Sequence, residues 1–170
     1  RRAVALHYSD SNYDDATARQ AAVYTMAQWI PFFGCNTGSD LVNADKYLLR
    51  SCYRPEITLE YNVNNDAFNA TDVRVLQRAI EEWKEIKGNF YSDIYLLTDW
   101  NISADRWLSY EYFDDTSGNG YAMVFRRNGK NAPSKKTLKL KGLVKDATYR
   151  IDFADSVTSI TATGEELMNV

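Results

Sequence analysis

The chain has 170 residues, 45% of them apolar and 14% aromatic, and a formal net charge of −3. That composition supports a packed core in one domain or two small ones and excludes a disordered chain. The charge excludes a broad electrostatic footprint for nucleic acid, and no apolar run approaches the ~18 residues of a membrane span, so neither kind of partner is expected.

The chain starts RRAVALHYSD, with neither an initiating Met nor a signal peptide, and reads as a piece of something longer. Ala3 to Leu6 form a short apolar run that passes into His7, Tyr8, Ser9, Asp10, Ser11 and Asn12. Apolar strand, polar turn, then helix is the layout of a βα unit, whose strand-end loops carry ligands in barrels and open α/β sheets. His7, Ser9 and Asp10 are therefore candidate pocket-rim residues. The other reading is an Asx-turn and N-cap cluster that starts the next helix.

Residues 14–30 read as that helix, with Asp14 and Asp15 at the favourable end of its dipole. Ala18, Ala22, Met26 and Ile30 form its apolar stripe, Ala21, Tyr24 and Trp29 widen it, and Pro31 stops it at Ile30. Trp29, beside Pro31, Phe32 and Phe33, is either a sugar-stacking platform or core packing under a helix end. Residues 34–55 read as loop plus one short helix within LVNADKYLLRSCY, capped by Asn43 or Asp45. Arg50 lies there in an apolar context and needs an acceptor: a structural ion pair, or a polar ligand that it reaches as an arm.

The segment ITLEYNV alternates weakly, as a short buried strand would. Thr71 to Lys87 carries the plainest helical period, with Val73, Leu76, Ile80 and Trp83 on a core face, Asp72 in the first turn and Gly88 at the end. Residues 89–105 form a joint rich in hydrogen-bonding aromatics, Tyr91, Tyr95 and Trp100 among them. Two N-x-S/T acceptors, at Asn69 and Asn101, have meaning only in a protein secreted by a eukaryote.

From Arg106 to Arg127 the sequence RWLSYEYFDDTSGNGYAMVFRR predicts a hairpin. Leu108, Tyr110 and Tyr112 alternate with Trp107, Ser109 and Glu111, the period of a half-buried strand. DDTSGNG supplies the turn, where Gly118 and Gly120 tolerate positive φ. Further strands are expected around Leu138 and Leu140, Tyr149 to Phe153 and Val157 to Ala162, before a last short helix at GEELM. About five strands with open edges predict a small antiparallel sandwich, or part of one that lacks a partner strand.

Cys35 and Cys52 form no C-x-x-C pair and read as buried free thiols, and His7 is the only histidine. A multi-histidine metal site is thereby excluded, and no G-x-S-x-G surrounds any serine. No metal or cofactor is expected. The remaining chemistry is that of carboxylates, aromatics and a few arginines.

Taken in order, RRAVALHYSD, YLLRS, FYSDIYLLTDW, RWLSYEYFDDTSGNGYAMVFRR, LKLKGL, ATYRIDF and TGEELM resemble the tail of glycoside hydrolase family 36, the α-galactosidase-type enzymes. The match spans nearly the whole chain. It departs at Tyr110-Glu111, where the family often has a glutamine-containing pair, at Ser92 in place of a glycine, and at Leu96 in place of a proline.

The resemblance implies an α/β part followed by an all-β part: the end of a (β/α)8 barrel over residues 1–100, then a C-terminal antiparallel β-sandwich over 101–170, incomplete here. It implies a retaining mechanism with two carboxylates about 5–5.5 Å apart, both upstream of Arg1 and so absent from this chain. Ser9 and Asp10 would stand at the barrel mouth, with Asp10 the first candidate for contact with sugar hydroxyls or for orienting the acid/base. His7, Arg50, Trp29 and Trp100 follow as substrate-side candidates.

The expected partners are an oligosaccharide or galactoside substrate and the remainder of the barrel, and the expected location is cytoplasmic. In isolation the chain should expose apolar surface. The alternatives are a carbohydrate-binding sandwich without catalysis, or a structural module that forms a homo-oligomer through its open edge.

Overall fold

The structure, a computed structural model, describes residues 6–7, 15–37, 45–59 and 69–169. Three short parallel strands open it: β1 (Leu6–His7), β2 (Phe33–Asn36) and β3 (Glu56–Thr58), in that spatial order. Helix α1 (Ala16–Met26) joins the first two and α2 (Lys46–Arg50) the next two, and α3 (Ala70–Ile86) follows β3. Parallel neighbours need such crossovers, so each strand is followed by a helix. Within the described residues this is an open β/α unit.

Each helix starts at a side-chain cap. Asp15 accepts from Thr17 N at 2.9 Å and Asp45 from Leu48 N at 2.8 Å. Asn69 and Asp72 form a reciprocal capping box at the start of α3. Asn69 thus has a structural duty.

Two expectations for α1 change. Regular helix ends at Met26, and the chain continues as turns in which Ile30 N still donates to Met26 O at 2.9 Å. Its buried residues are Arg19, Gln20, Ala21, Val23 and Tyr24, while Ala18, Ala22 and Met26 are half-buried. The helix is packed on more than one side, and Arg19 and Gln20 are buried because they find polar partners. Gln20 Nε2 donates to Ser51 Oγ at 3.0 Å, and Arg19 reaches the Thr37 carbonyl and Cys52 Sγ. On α3, Leu76 is buried and Ile80 and Trp83 are half-buried, but Val73 is exposed.

A short 3-10 turn, Lys87–Tyr91, leads to β4 (Asp93–Leu96). The joint therefore holds a strand, and β2 is a strand where sequence indicated loop. Both are four residues long, too short to display a period. β4 pairs antiparallel with β5 (Trp107–Asp114), which pairs with β6 (Asn119–Arg126), so the antiparallel sheet begins at Asp93. The expected hairpin is present. Gly118 takes φ +71°, as the turn requires. Gly120 does not need a positive φ; a Cβ there would overlap the Tyr112 carbonyl and lie 3.1 Å from Phe113 Cα.

A half-buried β5 is not what forms: from Leu108 to Phe113 every residue is buried. Leu108, Tyr110 and Tyr112 face a core shared with Val23, Tyr24 and Phe33 of the β/α unit. The opposite face carries Phe113 against Leu143 and Leu167, with Tyr149 and Ile151 beside them. That second layer is the hairpin of β7 (Thr148–Asp152) and β8 (Ser159–Thr163), closed by α4 (Gly164–Asn169). No strand forms at Leu138 and Leu140; Leu140 N instead donates to Leu167 O at 3.0 Å. The C-terminal part is thus antiparallel sheet against antiparallel hairpin.

Candidate functional site

In the chain, β1 and β2 each end where the segment leading to the next helix begins, so their C-terminal ends share an edge with the N-termini of α1 and α2. A cleft of about 530 Å³ opens there between Asp15, Thr17, Asp45, Tyr47, Arg126 and Asn128. The end of β6 closes it, because Tyr47 Oη donates to the Arg126 carbonyl at 3.3 Å. Beside it lies Arg127, 1% exposed. Its Nε donates to Gln20 Oε1 at 3.1 Å, and its Nη1 to the carbonyls of Asn101 and Ser103 at 2.9 and 3.0 Å and to Asn101 Oδ1 at 2.5 Å. Burial holds this guanidinium below the usual arginine range. Asn101, the second N-x-S/T asparagine, is thereby tied into the seam.

On the sheet itself the side chains sort by face. Phe33 and Cys35 are buried, and Phe33 and Ile57 pack into the shared core with α1. Gly34 and Asn36 alternate to the other face, and the register sets Gly34 beside Glu56 and Asn36 beside Thr58. Glu56 lies flat across Gly34: a Cβ at position 34 would overlap its carboxylate and sit 2.9 Å from the Glu56 Cβ. Thr58 Oγ1 donates to Glu56 Oε1 at 3.2 Å. On the far side of Gly34, the register partner is His7. Sequence reasoning missed Glu56, Asn36 and Thr58, since only the parallel pairing brings them together. The aromatic pair Phe32-Phe33 after Pro31 was the one signal for a strand there.

Of the residues singled out from sequence, Ser9 and Asp10 lie outside the described residues, and His7 is described only as the last residue of β1. Arg50 is engaged within the protein: Nε and Nη2 meet Glu82 at 2.7 and 2.8 Å, and Nη1 meets Asp155 at 2.8 Å. These carboxylates raise its pKa further above the ordinary arginine value. Trp29, 80% exposed, stands past the C-terminal end of α1, at the opposite end of that helix from the cleft, and Trp100 is 54% exposed. Trp29 therefore lies away from the cleft. Among the described residues no three His, Cys, Asp or Glu side chains gather as a metal site would need.

A second cavity, about 190 Å³, is lined by Leu49, Tyr53, Ile57, Leu76, Ile80 and Trp83 among others, and is almost wholly apolar. It is a gap in helix–sheet packing with little to orient a polar ligand.

Residues 107–170 match the family model of the glycosyl hydrolase family 36 C-terminal domain. That match takes in less than half of the chain and shows what its C-terminal part is similar to. The match begins at the first residue of β5 and takes in β5, β6, the β7–β8 hairpin and α4, while β4 and the β/α unit lie before it. Among solved structures, the chain is similar to the galactosidase domain of alpha-galactosidase-sucrose kinase, AgaSK, with a TM-score of 0.69 and 16% identity. That likeness, of fold alone, covers 94% of this chain and 22% of the other. No curated protein matches the chain. The likeness of fold extends over the β/α unit, whereas the family model covers only the segment from Trp107 onward.

Proposed function

We propose that this chain is the C-terminal portion of a retaining glycoside hydrolase that removes terminal α-galactosyl groups from oligosaccharides. The nucleophile and acid/base carboxylates are supplied from upstream of Arg1. In this reading the three parallel strands close the catalytic barrel, and the antiparallel layers brace its helices from outside. One observation carries it: β/α strands that end on a common edge are built, through a single core, onto a segment that matches the family 36 C-terminal domain model. Ligands in such folds bind at the strand C-termini, which is where Ser9 and Asp10 occur in the chain.

The test is turnover of nitrophenyl α-galactoside by the intact protein containing this chain, beside the α-glucoside and the β-galactoside, with Asp10→Ala in parallel. Selective α-galactoside hydrolysis that collapses in the variant supports the activity and a pocket role for Asp10. Hydrolysis untouched by the variant keeps the activity and returns Asp10 to helix capping. Silence on all substrates favours a binding or structural module.

A further inference from the structure

The glycosidase reading leaves open which described side chains would hold a sugar at this edge. The face of the parallel sheet turned away from α1 supplies an answer. Asn36 and Thr58 are the last residues of β2 and β3, so their rung lies nearest the edge, and Glu56 lies one rung below. The rungs are two residues apart, about 6.6 Å along the strands. A carboxylate that accepts two hydrogen bonds, an amide that donates and accepts, and a hydroxyl suit a neutral polyol.

The arrangement is specific to the glycine. With any side chain at position 34 the Glu56 carboxylate would have to leave the surface of β2; with Gly34 it lies against the sheet, its Oε1 held by the Thr58 hydroxyl. A carboxylate steadied in this way loses little freedom when a ligand hydroxyl docks.

We infer that Glu56, folded flat across Gly34 and steadied by Thr58, forms with Asn36 a hydrogen-bonding row that takes the hydroxyls of a pyranose ring. This rests on the glycoside-hydrolase reading and names side chains of this chain that would contact the sugar.

The experiment uses the intact protein, with nitrophenyl α-galactoside as substrate and free galactose as competing ligand. Glu56→Ala should raise KM and the inhibition constant for galactose at least tenfold. Gly34→Ala, which keeps the carboxylate but displaces it, should do the same. Asn36→Ala should weaken galactose by a smaller factor, and Glu56→Gln should recover part of the loss because its amide oxygen still accepts. A melting temperature within a few degrees of wild type marks each as a binding effect. Should Glu56→Ala unfold the protein, Asn36→Ala and Glu56→Gln decide in its place. Unchanged galactose inhibition in the folded variants overturns the inference while the activity stands. A wild type inert towards every glycoside overturns both.

Discussion

Gln20 and Arg127, 107 positions apart in the chain, meet inside the protein, where Arg127 Nε donates to Gln20 Oε1 at 3.1 Å. One belongs to α1 and the other follows β6, so the contact ties the β/α unit to the antiparallel sheet. Three further bonds, to Asn101 and the Ser103 carbonyl, make the arginine the hub of the seam. Arg127→Leu would leave those acceptors buried and unsatisfied, and should destabilise the protein by about 2–4 kcal/mol in urea unfolding. Arg127→Lys should recover less than half of that, since an ammonium cannot reproduce the planar fork.

Arg50, Glu82 and Asp155 form a smaller version of the same device. The Arg50–Glu82 bond is bidentate and partly buried, whereas Asp155, on the turn between β7 and β8, is 55% exposed and is shared with Lys46 at 2.6 Å. Glu82→Ala should cost about 1 kcal/mol, and Asp155→Asn about 0.5 kcal/mol or less, vanishing in 1 M salt. Denaturant midpoints at low and high ionic strength check both.

Glu111 is 3% exposed between two layers, where Tyr95 of β4 and Ala122 of β6 flank it and the Lys141 backbone N–H donates to it at 3.2 Å. Burial pushes its carboxyl up to about 7, against a pull downward from Lys141. The folded state therefore binds this proton more tightly than the unfolded chain. The favourable contribution is complete below about pH 4.5 and fades as pH rises through about 7. Glu111→Gln should remove this slope and leave the protein more stable by about 1–2 kcal/mol at pH 8. Thermal unfolding of both forms between pH 5 and 8 measures it, and parallel curves would refute it.

Gly118 and Gly142 share a positive φ, +71° and +72°, but not a neighbourhood. Gly118 faces open space, so Gly118→Ala should cost about 1 kcal/mol from backbone strain, and Gly118→Asn less. At Gly142 a Cβ would lie 2.5 Å from the Tyr95 ring. Gly142→Ala should therefore cost clearly more, and Tyr95→Ala in the same chain should remove the difference. Melting temperatures of the three variants and the double variant decide it.

Some of this was legible in the residues themselves. The helix over 70–86, the hairpin over 107–126 with its glycine turn, and the last short helix follow from periods, caps and turn chemistry, all carried by neighbours in the chain. Strands β2 and β4 escaped because four residues display no period and their pairing partners lie far away in sequence. Arg50 showed in sequence only its need for an acceptor. That the acceptors are Glu82 and Asp155 depends on three elements converging.

The sequence by itself determined the longer local elements, their order and the family resemblance, since these reside in side-chain spacing and motif order. Tertiary structure alone decided that β5 is buried on both faces, that Glu56 lies across Gly34, and that Arg127 reaches Gln20. The physical reason is range. A period of two says that one face of a strand is apolar, but whether the second face is covered depends on what the rest of the chain brings to it. Polar residues such as Ser109 and Glu111 are then buried because a second layer, formed some thirty residues later, closes over them.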